Sequence, residues 1–473
     1  MKNVIKFKYL LPILLAFGLP AVASGASLLE IYQQALQSDP LIHEAEARRM
    51  ATFEAVPQAR SSLLPQLRAG GTWAKGSDGG VQSFQDLGGL NTASSDRDFD
   101  SFGWNAELRQ TIFRWDQFVG LKQATKRVAK AEVDFEAAQQ DLIVRVVNRY
   151  FAVLASEDTL TSIHADRLAI ARQLEQAKQR FDVGLIAITD VQESQAAYDQ
   201  SVASEIQAKR ELATARELLR EITGEYTPAL SAPGDSFPLL SPAPADEGSW
   251  IDMAMDQNLA LVSSRFDEEI ARDEISFRRT GHYPTLDLVA NYDTSDTDLS
   301  NIIIEGGSRP DIKTDNTRDT IAVQFSVPLF EGGRTSSRVR EAVYLHRASR
   351  EQLQRVARET ERATRDAYLG VLSEISRVNA LGQAVQSSRT ALEATQAGFE
   401  VGTRTIVDVL NSQRSLYSAI TNYYRSRYTY IGNVLALKLA AGTLQVQDLE
   451  QIDQHLIERQ PPEEVIAEEE NQN

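Results

Sequence analysis

The sequence predicts an internally duplicated α+β membrane protein, with four transmembrane β-strands per chain attached to helices of unusual length. Three observations predict it. A long segment repeats, four stretches alternate apolar and polar residues, and two stretches of roughly 65 residues run without proline.

The repeat is legible in its turns. Phe181-Asp182-Val183-Gly184 followed by Ile188-Thr189-Asp190-Val191 returns as Phe399-Glu400-Val401-Gly402 followed by Ile406-Val407-Asp408-Val409. The spacing then holds without a gap, because Ser194-Gln195 matches Ser412-Gln413, Leu219 matches Leu437, and Gly224 matches Gly442. A period of about 218 residues is far longer than the roughly 20–50 residues of solenoid units. Each copy is therefore a whole architectural half, residues 27–224 and 250–442.

The N-terminus reads as a secretory signal peptide over residues 1–23. Lys2, Lys6 and Lys8 precede an apolar run from Tyr9 to Leu19, and small residues follow that allow a cut after Ala23 or Ala26. That run is too short to span a bilayer as a helix, which takes about 20 apolar residues. The chain has no cysteine, which excludes a disulfide framework, a thiolate metal site and a lipid on an N-terminal cysteine. A formal charge of −17 argues against nucleic acid, where a basic face is expected.

Each half reads as helix, strand, strand, long helix, turn, helix. A first helix is expected within residues 40–63 and its counterpart within residues 251–279. After Pro65 and Pro284 the apolar period becomes two. Leu67, Ala69 and Trp73 alternate with Arg68, Gly70 and Thr72, and Phe102, Trp104, Ala106, Leu108 and Ile112 with Asn105, Glu107, Arg109 and Thr111. In the second half, Leu286, Leu288, Ala290 and Tyr292 form one face. So do Ile321, Val323, Phe325, Val327 and Leu329, with Asp287, Asn291, Asp293 and Gln324 opposite. An apolar face outward and a polar face inward is the pattern of a membrane barrel. Expected strand lengths are about 9–13 residues, near the 9–11 that a tilted membrane strand needs. The polar stretches 76–98 and 294–318 read as long external loops, and Phe113, Trp115 and Phe330 as an interfacial girdle. Four strands cannot close a barrel, and an open edge cannot sit in hydrocarbon because its backbone groups would be unpaired. Several copies must therefore share one barrel.

The proline-free runs, from about Asp116 to Phe181 and from about Arg334 to Phe399, would be near 100 Å long at about 1.5 Å per residue. Leu121, Val128, Phe135 and Leu142 fall at heptad spacing, with Ala124, Ala131 and Ala138 interleaved, a pattern for close knobs-into-holes packing. Between the long helix and its successor, Gly184 and Gly402 can take positive φ, and Thr189 or Asp190 is expected to cap the returning helix. Residues 225–249, rich in proline and glycine, read as a connector wrapping the outside of the helical body. Residues 443–473 read as an acidic, disordered tail.

On the Val183-Gly184-Leu185, Thr189-Asp190-Val191 and Val401–Val409 stretches, the duplication and the Leu329-Phe330-x-Gly332-Gly333 exit, the chain resembles the TolC family of outer-membrane efflux channels. The resemblance covers the mature chain except the tail. It implies a homotrimer whose twelve-strand barrel in the outer-membrane lipid is continuous with a twelve-helix periplasmic barrel. It also implies docking with periplasmic adaptor hairpins and, through them, with an inner-membrane pump or ABC transporter. The exported cargo would be drugs, other small molecules or proteins. Adaptor docking then falls to Val183, Gly184, Leu185, Val401, Gly402 and Thr403. The periplasmic gate falls to Thr189, Asp190, Phe399, Arg404, Asp408 and Asn411, with Arg404 linking to the Thr189 and Asp190 positions across helix pairs. A tyrosine is usual in the family at position 399, so one latch hydroxyl is missing. Asn411 stands where a second acidic residue is expected, which leaves Asp408 to form one carboxylate ring if three copies meet on an axis, favouring cations.

Two other classes are weaker. His43, His164, His282, His346 and His455 show no metal-ligand spacing, and no phosphate loop or nucleophile elbow appears, so no catalysis and no cofactor is expected. A periplasmic coiled-coil spacer or adaptor would account for the helices but not for four lipid-patterned strands.

Overall fold

The computed structural model describes residues 25–463 and 466, apart from 87–88, 228, 235–236, 305–306 and 309. The signal-peptide reading of residues 1–23 lies outside them, as does the tail from 467. In chain order the elements are α1 Leu28–Ser38, α2 Pro40–Phe53, α3 Ala55–Ser61, β1 Gln66–Asp86, β2 Gly89–Phe113, α4 Trp115–Asp182 and α5 Ile188–Thr223. After the connector strand β3 Ala232–Pro233 come α6 Glu247–Gln257, α7 Leu259–Arg279, β4 Thr285–Ile304, β5 Gly307–Ser308, β6 Ile312–Ser326, α8 Arg334–Glu400 and α9 Ile406–Ala441. The chain then forms α10 Val446–Asp453 and β7 Leu456–Ile457. The long helices match the proline-free runs to within a residue or two, with 68 residues in α4 and 67 in α8. Two compact units emerge, and each draws on both sequence halves. Residues 44–137 with 259–360 make one, and the remaining segments make the other.

The first unit is organised by an antiparallel sheet in the order β1-β2-β4, with β6 also paired to β4. Leu67 faces Leu108, Ala69 faces Ala106 and Trp73 faces Phe102. Ala106 pairs with Tyr292, and Ala290 with Ile321. One continuous apolar face results, and it is bare: Leu67 is 73% exposed, Ile321 79% and Phe325 66%. Its far margin is aromatic. Trp104 lies 5.1 Å from Tyr292 between ring centroids, and the Trp73 indole N–H donates to Asp100 at 2.8 Å. This second aromatic row, opposite the Phe113 row, is absent from the sequence reading. From Phe113 to Trp104 is about 31 Å along a strand at about 3.4 Å per residue. At a tilt of about 40° that becomes about 23 Å of height, close to the roughly 25 Å apolar band of a membrane barrel.

Two expectations fail here. The stretches read as loops are ladder, since β1 pairs with β2 out to Asp86 and Gly89, and β4 with β6 out to Leu299 and Ile312. Their polarity misled the reading. Cross-strand charge pairs, Arg97 to Asp78 at 2.8 Å and Lys313 to Asp298 at 3.1 Å, stabilise strands as well as apolar pairs do. Conversely, Val327 and Leu329 are off the sheet, because β6 stops at Ser326 ahead of Pro328, which has no N–H to donate.

The helix expected within residues 40–63 is also broken, into α2 and α3. The earlier α1 is started by a capping box in which Ser27 and Glu30 satisfy each other's backbone N–H. The counterpart is split at Asn258 into α6 and α7, and the Asn258 side chain donates to the Ala440 carbonyl at 3.0 Å.

The helical unit is built on Leu142, Val146, Tyr150 and Leu154 of α4, with Ile431, Leu435 and Leu437 of α9, all essentially buried. The connector is not wholly outside. Ala229, Leu230, Ser231 and Ala232 are buried, β3 pairs with β7, and the Tyr150 hydroxyl donates to the Ser231 carbonyl at 2.5 Å. Nor are residues 443–463 a disordered tail, since they form α10 and β7. Arg459 then pairs with Asp158, which also accepts from the Tyr428 hydroxyl, and Glu463 pairs with Arg216. The acidic composition hid the partners, Arg216 and the buried Asp158, that helices far away in the sequence supply.

Candidate functional site

Both helix tips are built on the same turn. At the first, Gly184 has φ +77°, its N–H donates to the Phe181 carbonyl at 2.8 Å, and the Leu185 N–H donates to the Arg180 carbonyl at 2.8 Å. At the second, Gly402 has φ +80°, its N–H reaches Phe399 at 3.1 Å, and the Thr403 N–H reaches Gly398 at 2.8 Å. These are Schellman closures, in which a left-handed glycine lets the last helical carbonyls find donors. The turns hold Val183, Leu185 and Val401 out into solvent, at 70%, 72% and 76% exposure. Helix-closing hydrogen bonds are thus complete, while three apolar side chains at the tips cover nothing in their own chain.

The returning helices start differently. Ala187, not Thr189 or Asp190, occupies the first N-cap, and no side chain caps α5; Thr189 is exposed and Asp190 half-buried. The second N-cap is Thr405, which forms a full capping box with Asp408. The Asp408 N–H donates to Thr405 Oγ1 at 3.2 Å, and Asp408 Oδ2 accepts from the Thr405 N–H at 2.9 Å and from its hydroxyl at 3.0 Å. Those donors, with the Arg404 charge adding to them, hold the Asp408 carboxyl below the usual carboxylate range. The Thr-x-x-Asp spacing is the sequence signal for this cap.

Phe399 and Arg404 sit on either side of the turn. The Phe399 ring packs against buried Ile170, Ile406 and Leu410, and the Arg180 guanidinium lies 4.8 Å from its centroid. This cation–π contact brings the two tips together where the sequence reading saw only a missing hydroxyl. Arg404 donates its backbone N–H to the Gly398 carbonyl at 3.2 Å. Its stem crosses Gly398 so closely that a Cβ there would lie 2.8 Å from Arg404 Cγ. Within one chain Arg404 is not brought to Thr189 or Asp190, and among the described residues its guanidinium forms no ion pair. Asn411 is exposed, and its carbonyl accepts from the Ser415 hydroxyl at 2.9 Å.

Further contacts lie within and between the tips. Leu174, Ala177 and Val191 form a second buried cluster. Gln413, itself buried, donates to the Asp166 carboxylate at 2.7 Å, and burial raises the Asp166 carboxyl above the ordinary range. Gln195, its counterpart in the repeat, instead donates to Asp199 on its own helix at 2.9 Å. Gln413 was visible only as a repeated letter, since nothing local says which helix it will meet.

The Outer membrane efflux protein family model matches residues 31–225 and again 250–443. The chain is 36% identical over 449 residues to Outer membrane protein TolC of Escherichia coli (strain K12), covering 93% of this chain and 88% of that protein. It is 28% identical over 445 residues to the alkaline protease secretion protein AprF of Pseudomonas aeruginosa, covering 93% of this chain and 89% of that one. A crystal structure of CusC superposes with a TM-score of 0.72 at 16% identity, covering 88% of this chain and 92% of that chain, a likeness of fold.

Proposed function

Because the chain belongs to the outer membrane efflux protein family, within the TolC group, we propose that three copies pool their strands into one twelve-strand outer-membrane barrel, continuous with a twelve-helix periplasmic barrel. The protein is an outer-membrane transport protein that extends into the periplasm, and not an enzyme. In this reading it is the exit duct of a pump assembly. The exposed tip residues Val183, Leu185, Val401 and Thr403 receive the hairpins of a periplasmic adaptor, which links the duct to an inner-membrane pump or ABC transporter. The paired tips are its gate. Arg404 latches to the Thr189 and Asp190 positions of a neighbouring helix pair, and Asp408 contributes a carboxylate ring at the mouth.

One observation carries the proposal: an exposed apolar sheet face about 23 Å high between two aromatic rows, on a sheet whose outer strands β1 and β6 each have an open edge. A soluble monomer would leave that face in water at about 25 cal/mol per Å² of apolar surface. A single chain in lipid would leave two edges unpaired. Joining β1 of one copy to β6 of the next removes both costs at once. The identity to TolC and to a protease secretion protein supports export without fixing the cargo.

The test is extraction and conductance. The native protein should leave the membrane only with detergent, run as a trimer on unheated gels, and carry ion current in planar bilayers. Arg404→Ser should raise its open probability. Release by salt as a water-soluble monomer would refute the duct, and an unchanged open probability would refute the latch.

A further inference from the structure

Where the strands give way to helix, three arginines line one cavity. It holds about 230 Å³ and is bounded by Ser62, Arg68, Arg109, Thr111, Arg114 and Gln117. Arg68 and Arg109 stand on neighbouring strands, offset by one ladder step, since Arg68 pairs with Glu107 and Gln66 with Arg109. Both lie on the face opposite Leu67 and Leu108, the face that the duct reading turns to the water-filled bore.

The three arginines are not equally paired, although Asp116 in the first turn of α4 also acts on Arg114. Arg114 is committed, its Nε and Nη2 donating to the Asp287 carboxylate at 3.1 and 2.7 Å. Arg109 lies 3.2 Å from Glu107 and 3.7 Å from Asp287. Arg109 and Arg114 thus share the Glu107 and Asp287 carboxylates, and Arg68 has no ion pair among the described residues. A second, independent feature is the Gln117 side chain. Its Nε2 donates to Thr111 Oγ1 at 3.3 Å, while its Oε1 is buried without a hydrogen-bond partner. An amide's oxygen and nitrogen are assigned from their surroundings. Turned over, the Gln117 oxygen accepts from the Thr111 hydroxyl and its NH₂ takes the buried position. The first turn of α4, which carries Gln117, adds the positive end of a helix dipole.

We propose that this cavity binds the oxyanion group, carboxylate or phosphate, of a solute passing through the bore. Arg68 supplies a planar two-pronged donor, and Arg109 supplies further donors. The volume is below the roughly 300–1,000 Å³ of sites that enclose a drug-sized molecule, so the site grips one end of a solute and leaves the rest free to move on. The inference rests on the duct reading.

The experiment uses the purified trimer in planar bilayers of phosphatidylcholine, with inorganic pyrophosphate added at constant salt. Pyrophosphate should reduce the current in a saturable way, and Arg68→Gln should raise the half-blocking concentration about tenfold or more, as expected for loss of a charged hydrogen-bond donor. Arg97→Gln, whose partner Asp78 lies further along the same ladder, should block like the native protein. If Arg68→Gln yields no channel, Arg68→Lys takes its place, and should block more weakly because it keeps the charge without the fork. A channel that conducts but ignores pyrophosphate, or that is blocked equally after either Arg68 substitution, overturns the site and leaves the duct standing. Absence of any current overturns the duct itself. Bilayers containing phosphatidylglycerol separate the two sources of phosphate: an undiminished response supports a solute site, and a response abolished by that lipid assigns the cavity to a lipid headgroup and overturns the proposal.

Discussion

Replacing Ala187 by threonine should give the first tip the cap that the second already has. The backbone is ready for it. Ala187 has φ −80° and ψ 155°, and Thr405 has φ −90° and ψ 162°. The third residue of α5 is Asp190, in the place that Asp408 holds in α9, and its N–H already reaches the Ala187 carbonyl at 3.1 Å. A threonine hydroxyl there meets the same N–H, and the Asp190 carboxylate meets the threonine's own backbone donor. Exchanging alanine for threonine at an N-cap stabilises by about 1 kcal/mol, within a range of roughly 0.5–2. That corresponds to about a fivefold reduction in the opening equilibrium of the first turn of α5. Hydrogen exchange on the intact trimer reads this directly, because amides at a fraying helix start exchange through local opening. Protection of residues 188–191 should rise about fivefold, and residues 406–409 should not change. If protection of residues 188–191 is unaltered or lower, the reasoning that the tips differ by one hydroxyl is wrong.

Three other substitutions or conditions follow from the same geometry. Gly402→Ala forces a side chain into left-handed backbone at a cost of about 1–2 kcal/mol with no steric clash, since nothing lies within 4 Å of the added carbon; trimer assembly should survive while exchange at residues 399–404 quickens. Arg459→Ala leaves the Asp158 carboxylate, its side chain 2% exposed, without its cation, and breaking a buried pair this way costs about 3–5 kcal/mol; the thermal midpoint of the protein should fall, and a change of under a degree would remove the C-terminal segment from the stable core. The Asp408 carboxyl is held below its unfolded value, so its capping contribution is present above about pH 4 and is lost as pH falls through the lower folded value. Exchange at residues 406–409, corrected for the intrinsic effect of pH, should therefore quicken below pH 4 in the native protein and stay flat in Asp408→Asn.

The sequence disclosed most where the physics is local. Period two in Phe102–Leu108 and Ile321–Phe325, the long proline-free helices and the glycines of the tips all act within a few residues of themselves, and each is where it was expected. The errors share a cause. Residues 76–98 looked like loop because polar composition is the usual mark of loops, yet the charges on Asp78 and Arg97 are paired across the ladder, a fact of register and not of composition. The segment after Gly442 looked disordered because Glu463 and its neighbours are acidic, and the partners that order it, Arg216 and Asp158, arrive from helices far off in the chain. The break at Asn258 belongs with these, since its side chain answers to the end of α9. At the site, the turns were legible, but the Arg180–Phe399 and Gln413–Asp166 contacts join the two repeats, and no window of one repeat contains both partners.

The two repeats share one turn, and the differences between them bear on the gate proposed at the second. Leu185, Ile186 and Ala187 of the first tip correspond to Thr403, Arg404 and Thr405 of the second. Three apolar residues have thus become two hydroxyls and a cation. Arg404 stands one residue before the N-cap of α9, at the positive end of the helix, where the dipole disfavours a cation. Its own chain offers only partial compensation. The Asp408 carboxylate is occupied by Thr405, and Asp190 belongs to the other tip. Gly398, however, keeps the Arg404 stem pressed across the turn, so the guanidinium is displayed and not folded away. A charge kept where its own helix opposes it, on a stem whose path excludes a side chain beneath, is best accounted for by an acceptor outside the hairpin. In the proposed trimer, acceptors of neighbouring copies, the Thr189 and Asp190 positions among them, are the candidates. If the proposed trimer forms, the association that closes the barrel also supplies the latch, so a monomer with every turn intact should have Arg404 in place and nothing for it to hold.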